Sequence, residues 1–565
     1  MNNIAQIIKQ VLFDVFAVDH DIHLSRPDEQ FGDYATNIAL QVAKSLGKNP
    51  REVAESLAAK LRETTIFTDV NIAGPGFINL RVAATSLVRE LEQQWGDRFG
   101  ENQSGAGKTV VVEYPSPNMA KPYSVGHLRP GNQGWAVKRL MEATGWKVIT
   151  DNHLGDYGAP FGVWVTGFLK LSSEAALERD GVYELGRVYI ATKQALKEEK
   201  ERGESVLADE VQQWLIKLEN GDEQAKSFSE RFNRISLAHI HTVMKRLKIS
   251  TDYELGEAFF APYGKAAVQK LLETGVAVQN EDGSIIVPLD DYGFDVPLLV
   301  QKSNGAALYA TSDLATILYR EEHWHPDKVI YCVGSEQQFY FTQLFAMAKK
   351  LGITTDLYHL WFGFIDQLND DGTREKMSSR KGVILMEELL DKAEQRARSI
   401  VAERNVPDED IKKIALGAIK FSDFSADRRT NILFDWDSIF ALTGYSGPYI
   451  QYAAVRVNKI LGDNTDAEPA ETTEYDYEAE KAVLAKLLEY PEVINLAATS
   501  IEPHKIATYL HELAREMNRY YESTPVATGD VTVTQKWARL GVLKKVSHVF
   551  THGLDLLGIE IPSRM

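Results

Sequence analysis

The run Thr109-Val110-Val111-Val112-Glu113, continued by Tyr114-Pro115-Ser116-Pro117-Asn118, decides the fold. A β-branched run of this length reads as a buried strand. The prolines end it, because proline brings no N–H to a ladder. A helical stretch follows at about 131–144, and Trp146-Lys147-Val148-Ile149-Thr150-Asp151-Asn152 reads as a second strand. Strand, helix and parallel strand within about forty residues form a βαβ unit, the opening of a nucleotide-binding α/β fold.

Outward from that unit the chain divides. Its 565 residues suggest roughly three to four domains. Residues 1 to about 84 hold two helical stretches and the alternating run Asp69–Leu80, a hairpin around Gly74-Pro75-Gly76. A helix near Ala84–Gln94 leads to a Gly-rich piece before the first strand. Residues 165–255 are charged and helical, as expected of an inserted domain, and from Met386 onward the chain is mostly helical. The expected domains are 1–107; an α/β domain, 108–385, with its insertion; a helical region, 386–443; and an all-α domain, 444–565.

Composition narrows the class. Hydrophobic residues at 44% and charged residues at 25% are ordinary for a globular protein. No apolar stretch is long enough to span a bilayer, and the amphipathic start, Met1–Phe16, lacks a basic leader, so neither membrane nor secretory signal is expected. Cys332 is the sole cysteine, which excludes intrachain disulfides and multi-cysteine metal sites; a reducing, cytoplasmic setting is expected. A net charge of −18 argues against indiscriminate nucleic-acid binding and leaves only a local basic track open.

The stretch Ser104-Gly105-Ala106-Gly107-Lys108-Thr109 imitates a phosphate loop. A true one carries glycine where Asn102 stands and opens into a helix, whereas a strand follows Lys108. It reads as a linker.

Chemistry is expected after the first strand, in Pro115-Ser116-Pro117-Asn118-Met119-Ala120-Lys121-Pro122-Tyr123-Ser124-Val125-Gly126-His127-Leu128-Arg129. Ligands bind beyond the carboxyl ends of parallel strands, and the next helix offers unpaired N–H groups to phosphate. Gly126 permits close approach, His127 can donate to an oxygen gaining charge, and Ser116 and Lys121 add donors. A lone Val125-Gly126-His127 would favour a Pro-rich turn with a surface histidine. A second segment, Lys376-Met377-Ser378-Ser379-Arg380-Lys381-Gly382, follows a strand-like Trp361–Ile365 and a polar turn. Its ammonium groups suit phosphoryl-centre chemistry, where positioning and electrostatics dominate.

Together these segments resemble the HIGH and KMSKS signatures of the arginyl-tRNA synthetases, a class I aminoacyl-tRNA synthetase family. Asn152-His153-Leu154-Gly155-Asp156-Tyr157-Gly158 extends the resemblance. Ser124 stands where the first HIGH histidine is usual, and Pro130-Gly131 replaces a small hydroxylated pair, suggesting a helix that begins late. The resemblance implies a Rossmann-like catalytic domain with an insertion, a small α+β N-terminal domain and an all-α anticodon-binding domain. It implies arginine, ATP with Mg²⁺ and a cognate tRNA as partners, no resident metal, and a monomer. Catalytic roles fall to Ser124, His127, Lys376 and Lys381. ATP contacts fall to Ser116, Lys121, Gly126, His127, Met377, Ser378 and Ser379.

A guanidinium calls for carboxylates in planar, charge-assisted contact. The resemblance points to Tyr309, Asp313 and Gln337 for the substrate's side chain and to Glu113 and Asn118 for its amino end. Tyr309 could equally be core and Asp313 a helix cap. Phe31–Asn37 resembles part of the family's N-terminal domain, and Gly444–Ala453 the start of its anticodon-binding domain, where Tyr449, Gln451 and Tyr452 are candidate tRNA contacts. The rival readings are a class I synthetase for another amino acid, a catalytically silent RNA-binding derivative and a small-molecule nucleotidyltransferase.

Overall fold

A computed structural model describes residues 2–303, 308–368, 372–377, 384–465 and 475–565. They form two compact units, one of residues 102–452, 495–508 and 553–565, the other of 1–101, 453–494 and 509–552.

The first unit is built on four parallel strands: β1 (Thr109–Glu113), β2 (Lys147–Asp151), β3 (Lys328–Cys332) and β4 (Asp356–Leu360), in the order β4-β3-β1-β2. Val111 pairs with Ile149 on one side and Val329 on the other. The valine run explains why β1 is central. Val111 enters one core cluster, with Phe260, Leu314 and Leu344, while Val110 and Val112 enter the opposite one, with Val137 and Met141. Both faces of the strand are thus covered, as a parallel sheet requires. Helix α1 (Leu128–Ala143) carries the chain from β1 to β2. The insertion supplies helices Ala159–Leu171, Glu174–Asp180, Val182–Glu201 and Val206–Glu219, ending in α2 (Glu223–Leu247). Then come α3 (Glu257–Glu273), the three-stranded antiparallel sheet of Val278–Gln279, Ile285–Val287 and Leu298–Gln301, and α4 (Tyr309–His323) leading into β3. Helix α5 (Gln338–Lys350) joins β3 to β4, and α6 (Asp408–Asp423) follows later. From β1 the chain moves one way to β2 and, after the insertion, the other way to β3. The ligand crevice of such a sheet lies where the order reverses, between β1 and β3.

Two expectations need correcting. Helix α1 does not begin late: it starts at Leu128, with Pro130 in its first turn. Proline belongs there, because its missing N–H would have had no helical partner. Trp361–Phe364 is not strand; pairing begins at Ile365, in a sheet of Ile365–Leu368, Arg374–Lys376 and Ile432–Leu433. The Gly363 carbonyl instead accepts from Arg129 at 2.8 Å, and the Trp361 carbonyl from Arg428. The imitation phosphate loop is a turn into β1, with the Lys108 ammonium 5.4 Å from the centre of the Trp146 ring.

The second unit carries a four-stranded antiparallel sheet in the order Leu24–Ser25, Tyr34–Thr36, Phe77–Val82, Phe67–Ala73, so the hairpin read around Gly74-Pro75-Gly76 is present. Tyr34 is buried, and Asp33 accepts the Val82 N–H at 2.7 Å; these residues of the Phe31–Asn37 segment build the fold. Among the helical residues of 453–494 and 509–552, buried Glu480 accepts from the Tyr520 hydroxyl at 2.8 Å and lies 3.3 Å from Arg539. Among the described residues no helix is long and apolar enough to cross a membrane.

Candidate active site

The loop after β1 is held in place by side chains from elsewhere in the chain. Ser116 and Ala120 both have left-handed backbones, with φ of 53° and 51°. Non-glycine residues pay for that conformation, so their surroundings must fix it. The Ser116 N–H donates to Asn152 Oδ1 at 3.1 Å, and the Ala120 N–H to Ser236 Oγ of α2 at 2.8 Å. The Tyr123 N–H donates to His239 Nε2, also on α2, at 3.0 Å. The inserted helix therefore props the signature loop, a role its charged sequence did not reveal.

His127 ends the single turn Val125–His127 that precedes α1. The Ser124 N–H donates to His127 Nδ1 at 3.3 Å, and Ser124 Oγ lies at the same distance. With Nδ1 accepting, the neutral ring carries its proton on Nε2. Burial lowers the His127 pKa to about 4, with nearby Lys121 adding to the effect against the Ser124 contact. At neutral pH the ring is an uncharged donor. Ser124, standing at the usual first histidine, thus sets the tautomer of the second.

A cavity of about 240 Å³ opens beside this turn, lined by Ser116, Gly126, His127, Gly334, Lys376 and Met377 among others. A Cβ on Gly126 would meet only Ser124 Oγ, so its face is open to a ligand. Ser116 Oγ is buried and unpaired among the described residues. Lys376 reaches Glu336 at 2.8 Å and lies 3.6 Å from the centre of the Phe364 ring. Met377 is buried, its N–H donating to the Ile365 carbonyl at 2.8 Å. Ser378, Ser379 and Lys381 lie outside the described residues. Beyond them the chain returns to the signature loop: Val125 N–H donates to Ile384 O at 3.0 Å, and Met386 N–H to Tyr123 O at 2.9 Å. The Lys121 ammonium lies 4.7 Å from the centre of the Tyr189 ring, where partial desolvation and nearby Lys193 lower its pKa.

A second, acidic cluster sits by the strand ends. Asp313 on α4 accepts the Tyr340 hydroxyl, and burial raises its pKa to about 6. Asp313 is the fifth residue of the helix and is not its cap. Glu257 at the start of α3 is raised further, to about 7, by burial, with Asp313 and Asp156 adding to it. Asp156 is raised by burial and accepts the Ala258 N–H at 2.8 Å. Nearby His153 opposes the rise at each of these acids. Such a site stabilises a bound cation in place of the missing water. Tyr309 opens α4 and is 70% exposed, which excludes the core reading. Asn118 is exposed and packs against Gly155, where a Cβ would stand 2.5 Å from Asn118 Oδ1. Gln337 is exposed, at the end of the turn before α5. Glu113 is already engaged: it accepts from Arg320 at 2.7 Å, and Asp151 shares the same Arg320 nitrogen at 2.8 Å.

Sequence reading missed Asp151, Asp156, Glu257, Arg320 and Tyr340. The motif Asn152–Gly158 signalled Asp156, and the helical spacing from Asp313 signalled Arg320. Nothing in the sequence marked Glu257, which arrives from the end of the insertion. Gln451 does not face a partner: it is fully buried and donates to the carbonyls of Lys413 and Glu560 at 3.0 and 2.7 Å. Tyr449 and Tyr452 are half-buried, Tyr452 with the Arg404 guanidinium 5.8 Å from its ring centre.

The chain is similar to three family models: the N-terminal domain of arginyl-tRNA synthetase over residues 2–82, the class I (R) tRNA synthetase catalytic domain over 92–436, and the DALR anticodon-binding domain over 450–565. It is 34% identical to an arginine–tRNA ligase of Lactobacillus delbrueckii, covering 100% of this chain and 99% of that one. It is 35% identical to an arginine–tRNA ligase of Exiguobacterium sibiricum, covering 99% of each. Among solved structures, the Thermus thermophilus arginyl-tRNA synthetase matches with a TM-score of 0.80 at 24% identity over 100% of both chains, a likeness of fold. The parallel sheet, the two signature segments meeting at one cavity and the full-length relatives agree: the chain belongs to the arginyl-tRNA synthetases and is an arginine–tRNA ligase of class I.

Proposed function

We propose that the cavity beside His127 holds ATP, that the cluster of Asp313, Glu257 and Asp156 receives the arginine side chain, and that both reactions of the ligase occur between them. The observation that carries this reading is the cavity itself, which unites Ser116, Gly126 and His127 with Lys376 and Met377 from the far end of the domain. Arginine's carboxylate attacks the α-phosphorus of ATP, and pyrophosphate leaves. The His127 Nε2–H donates to a phosphate oxygen as it gains charge. Lys376, with Lys381 and the hydroxyls of Ser378 and Ser379, serves the leaving phosphates. The 2′-hydroxyl of the tRNA's terminal adenosine then attacks the arginyl carbonyl, and AMP departs. Mg²⁺ enters with the nucleotide, bound through phosphates as part of the substrate.

Tyr309 and Gln337 close over the substrate side chain, and Asn118 contacts its amino end. Glu113 acts there through its remaining oxygen. The N-terminal residues 1–107 contact the tRNA body, 386–443 its stem, and 444–565 its anticodon, with Tyr449 and Tyr452 as stacking candidates. The enzyme works as a cytoplasmic monomer.

The test is arginine-dependent exchange of pyrophosphate into ATP, with and without cognate tRNA. Exchange that needs tRNA is expected. Folded protein that binds tRNA but exchanges under neither condition overturns the assignment of the cavity.

A further inference from the structure

Helix α4 presents Tyr309, Asp313, Thr316 and Arg320 at intervals of four, three and four residues, which lie on one face. Two turns below Asp313, that face meets the carboxyl ends of β1 and β2. There Arg320, fully buried, donates through one nitrogen to Glu113 at 2.7 Å and to Asp151 at 2.8 Å. The other Asp151 oxygen accepts the Leu255 N–H at 3.0 Å. The remaining Arg320 nitrogens, Nε and Nη1, are buried without a hydrogen-bond partner among the described residues. The guanidinium also lies 5.5 Å from the centre of the Tyr331 ring and 5.9 Å from that of Trp324, but with two of its nitrogens unpaired it is a poor device for stability alone.

An arginine pocket has a problem that other amino-acid pockets lack. Five carboxyl groups, those of Glu113, Asp151, Asp156, Glu257 and Asp313, lie in or beside it, and any close pair can hold a guanidinium. Only one placement leaves the substrate's carboxylate facing ATP. We propose that Arg320 is a resident guanidinium that occupies the inner pair, Glu113 and Asp151, and so obliges the substrate's guanidinium to bind in register at Asp313. Arg320 is a positioning residue: it acts on the substrate by removing the alternative acceptors. This rests on the reading that Asp313 receives the substrate side chain.

The test uses full-length enzyme carrying Arg320→Met, a similar length without charge. Vacating the inner pair lets arginine bind deep and unproductively. One further charged acceptor favours that register by about tenfold or more. Aminoacylation kcat and the KM for arginine are therefore expected to fall together by about tenfold, with the KM for ATP unmoved. Low-millimolar guanidinium chloride should refill the inner pair and restore kcat, while leaving wild type unchanged. Because Arg320→Met strands two buried carboxylates, the double variant Asp151→Asn/Arg320→Met is measured as well; it breaks the inner pair and leaves Glu113, which serves the substrate's amino end, in place. With no carboxylate pair left to hold a second guanidinium and one stranded charge fewer, it should fold and recover most of the kcat lost in Arg320→Met without added guanidinium.

A folded Arg320→Met enzyme with unchanged kinetics overturns the proposal, as does one whose kcat/KM falls without a guanidinium response. A folded double variant whose kcat is as low as that of the single one also overturns it. Asp313→Asn run alongside separates the two ideas. An unmoved arginine KM there removes the pocket assignment, and the proposal with it. A raised KM beside unaltered Arg320→Met kinetics removes the proposal alone.

Discussion

Arginine affinity should be lost on mild acidification, and the structure sets the range. The guanidinium keeps its charge at every accessible pH, so the titrating partners are the acids that receive it. Burial raises Asp313 to about 6 and Glu257 to about 7. A carboxyl with a raised pKa is ionised only above that value, so binding competence is present at pH 8 and is lost as pH falls through 7 and 6. If Asp313 alone must be ionised, lowering the pH from 8 to 5.5 raises the arginine dissociation constant by about 4-fold; if Glu257 must be ionised too, the rise is about 100-fold. The assay is direct arginine binding by calorimetry across this range, with ATP binding as control. Asp313→Asn should remove one component of the profile and weaken arginine binding at pH 8 by about 10- to 100-fold, as for a lost bond to a charged partner. An affinity that stays flat from pH 8 to 5.5 in folded protein would refute the claim that these acids hold the substrate.

Three further outcomes follow from the site. His127→Ala should slow pyrophosphate exchange by about 10²–10³, as for a lost transition-state donor, with arginine binding intact by calorimetry. Ser124→Ala should cost less than about tenfold in the same assay, because the backbone N–H of residue 124 still fixes the His127 tautomer; a loss equal to that of His127→Ala would show that the hydroxyl itself acts. Arg129→Met should destabilise the catalytic unit by about 3–5 kcal/mol, since it leaves Asp423 buried opposite an apolar chain, and chemical denaturation reads this directly.

The parts legible in the sequence are those where one short segment carries its own physics. The valine run located the central strand, and the glycine and histidine after it line the cavity proposed for ATP. The Asn102 and strand context correctly dismissed the imitation phosphate loop. What stayed hidden was assembled over distance. Glu257 joins the acidic cluster from beyond an inserted domain, and Tyr340 reaches Asp313 from another helix. Glu113 looked like a free acceptor because its partner, Arg320, lies 207 positions away in the chain. Gln451 illustrates the opposite error. A polar residue beside two tyrosines suggested an exposed recognition face, yet its amide is spent in the core on the carbonyls of Lys413 and Glu560. Local pattern identifies a residue's chemistry; only packing decides whether that chemistry is already spent inside the protein.

The two bonds from α2 to the signature loop bear on how such an enzyme can be shortened or rebuilt. An insertion between two halves of a sheet invites removal as an independent module. Here Ser236 and His239 accept the N–H groups of Ala120 and Tyr123, so the insertion supplies part of the wall of the catalytic loop. A truncated enzyme joined across 165–255 would keep every signature residue and still lose the loop's shape. Any minimal catalytic core engineered from this chain must retain α2 or replace both acceptors.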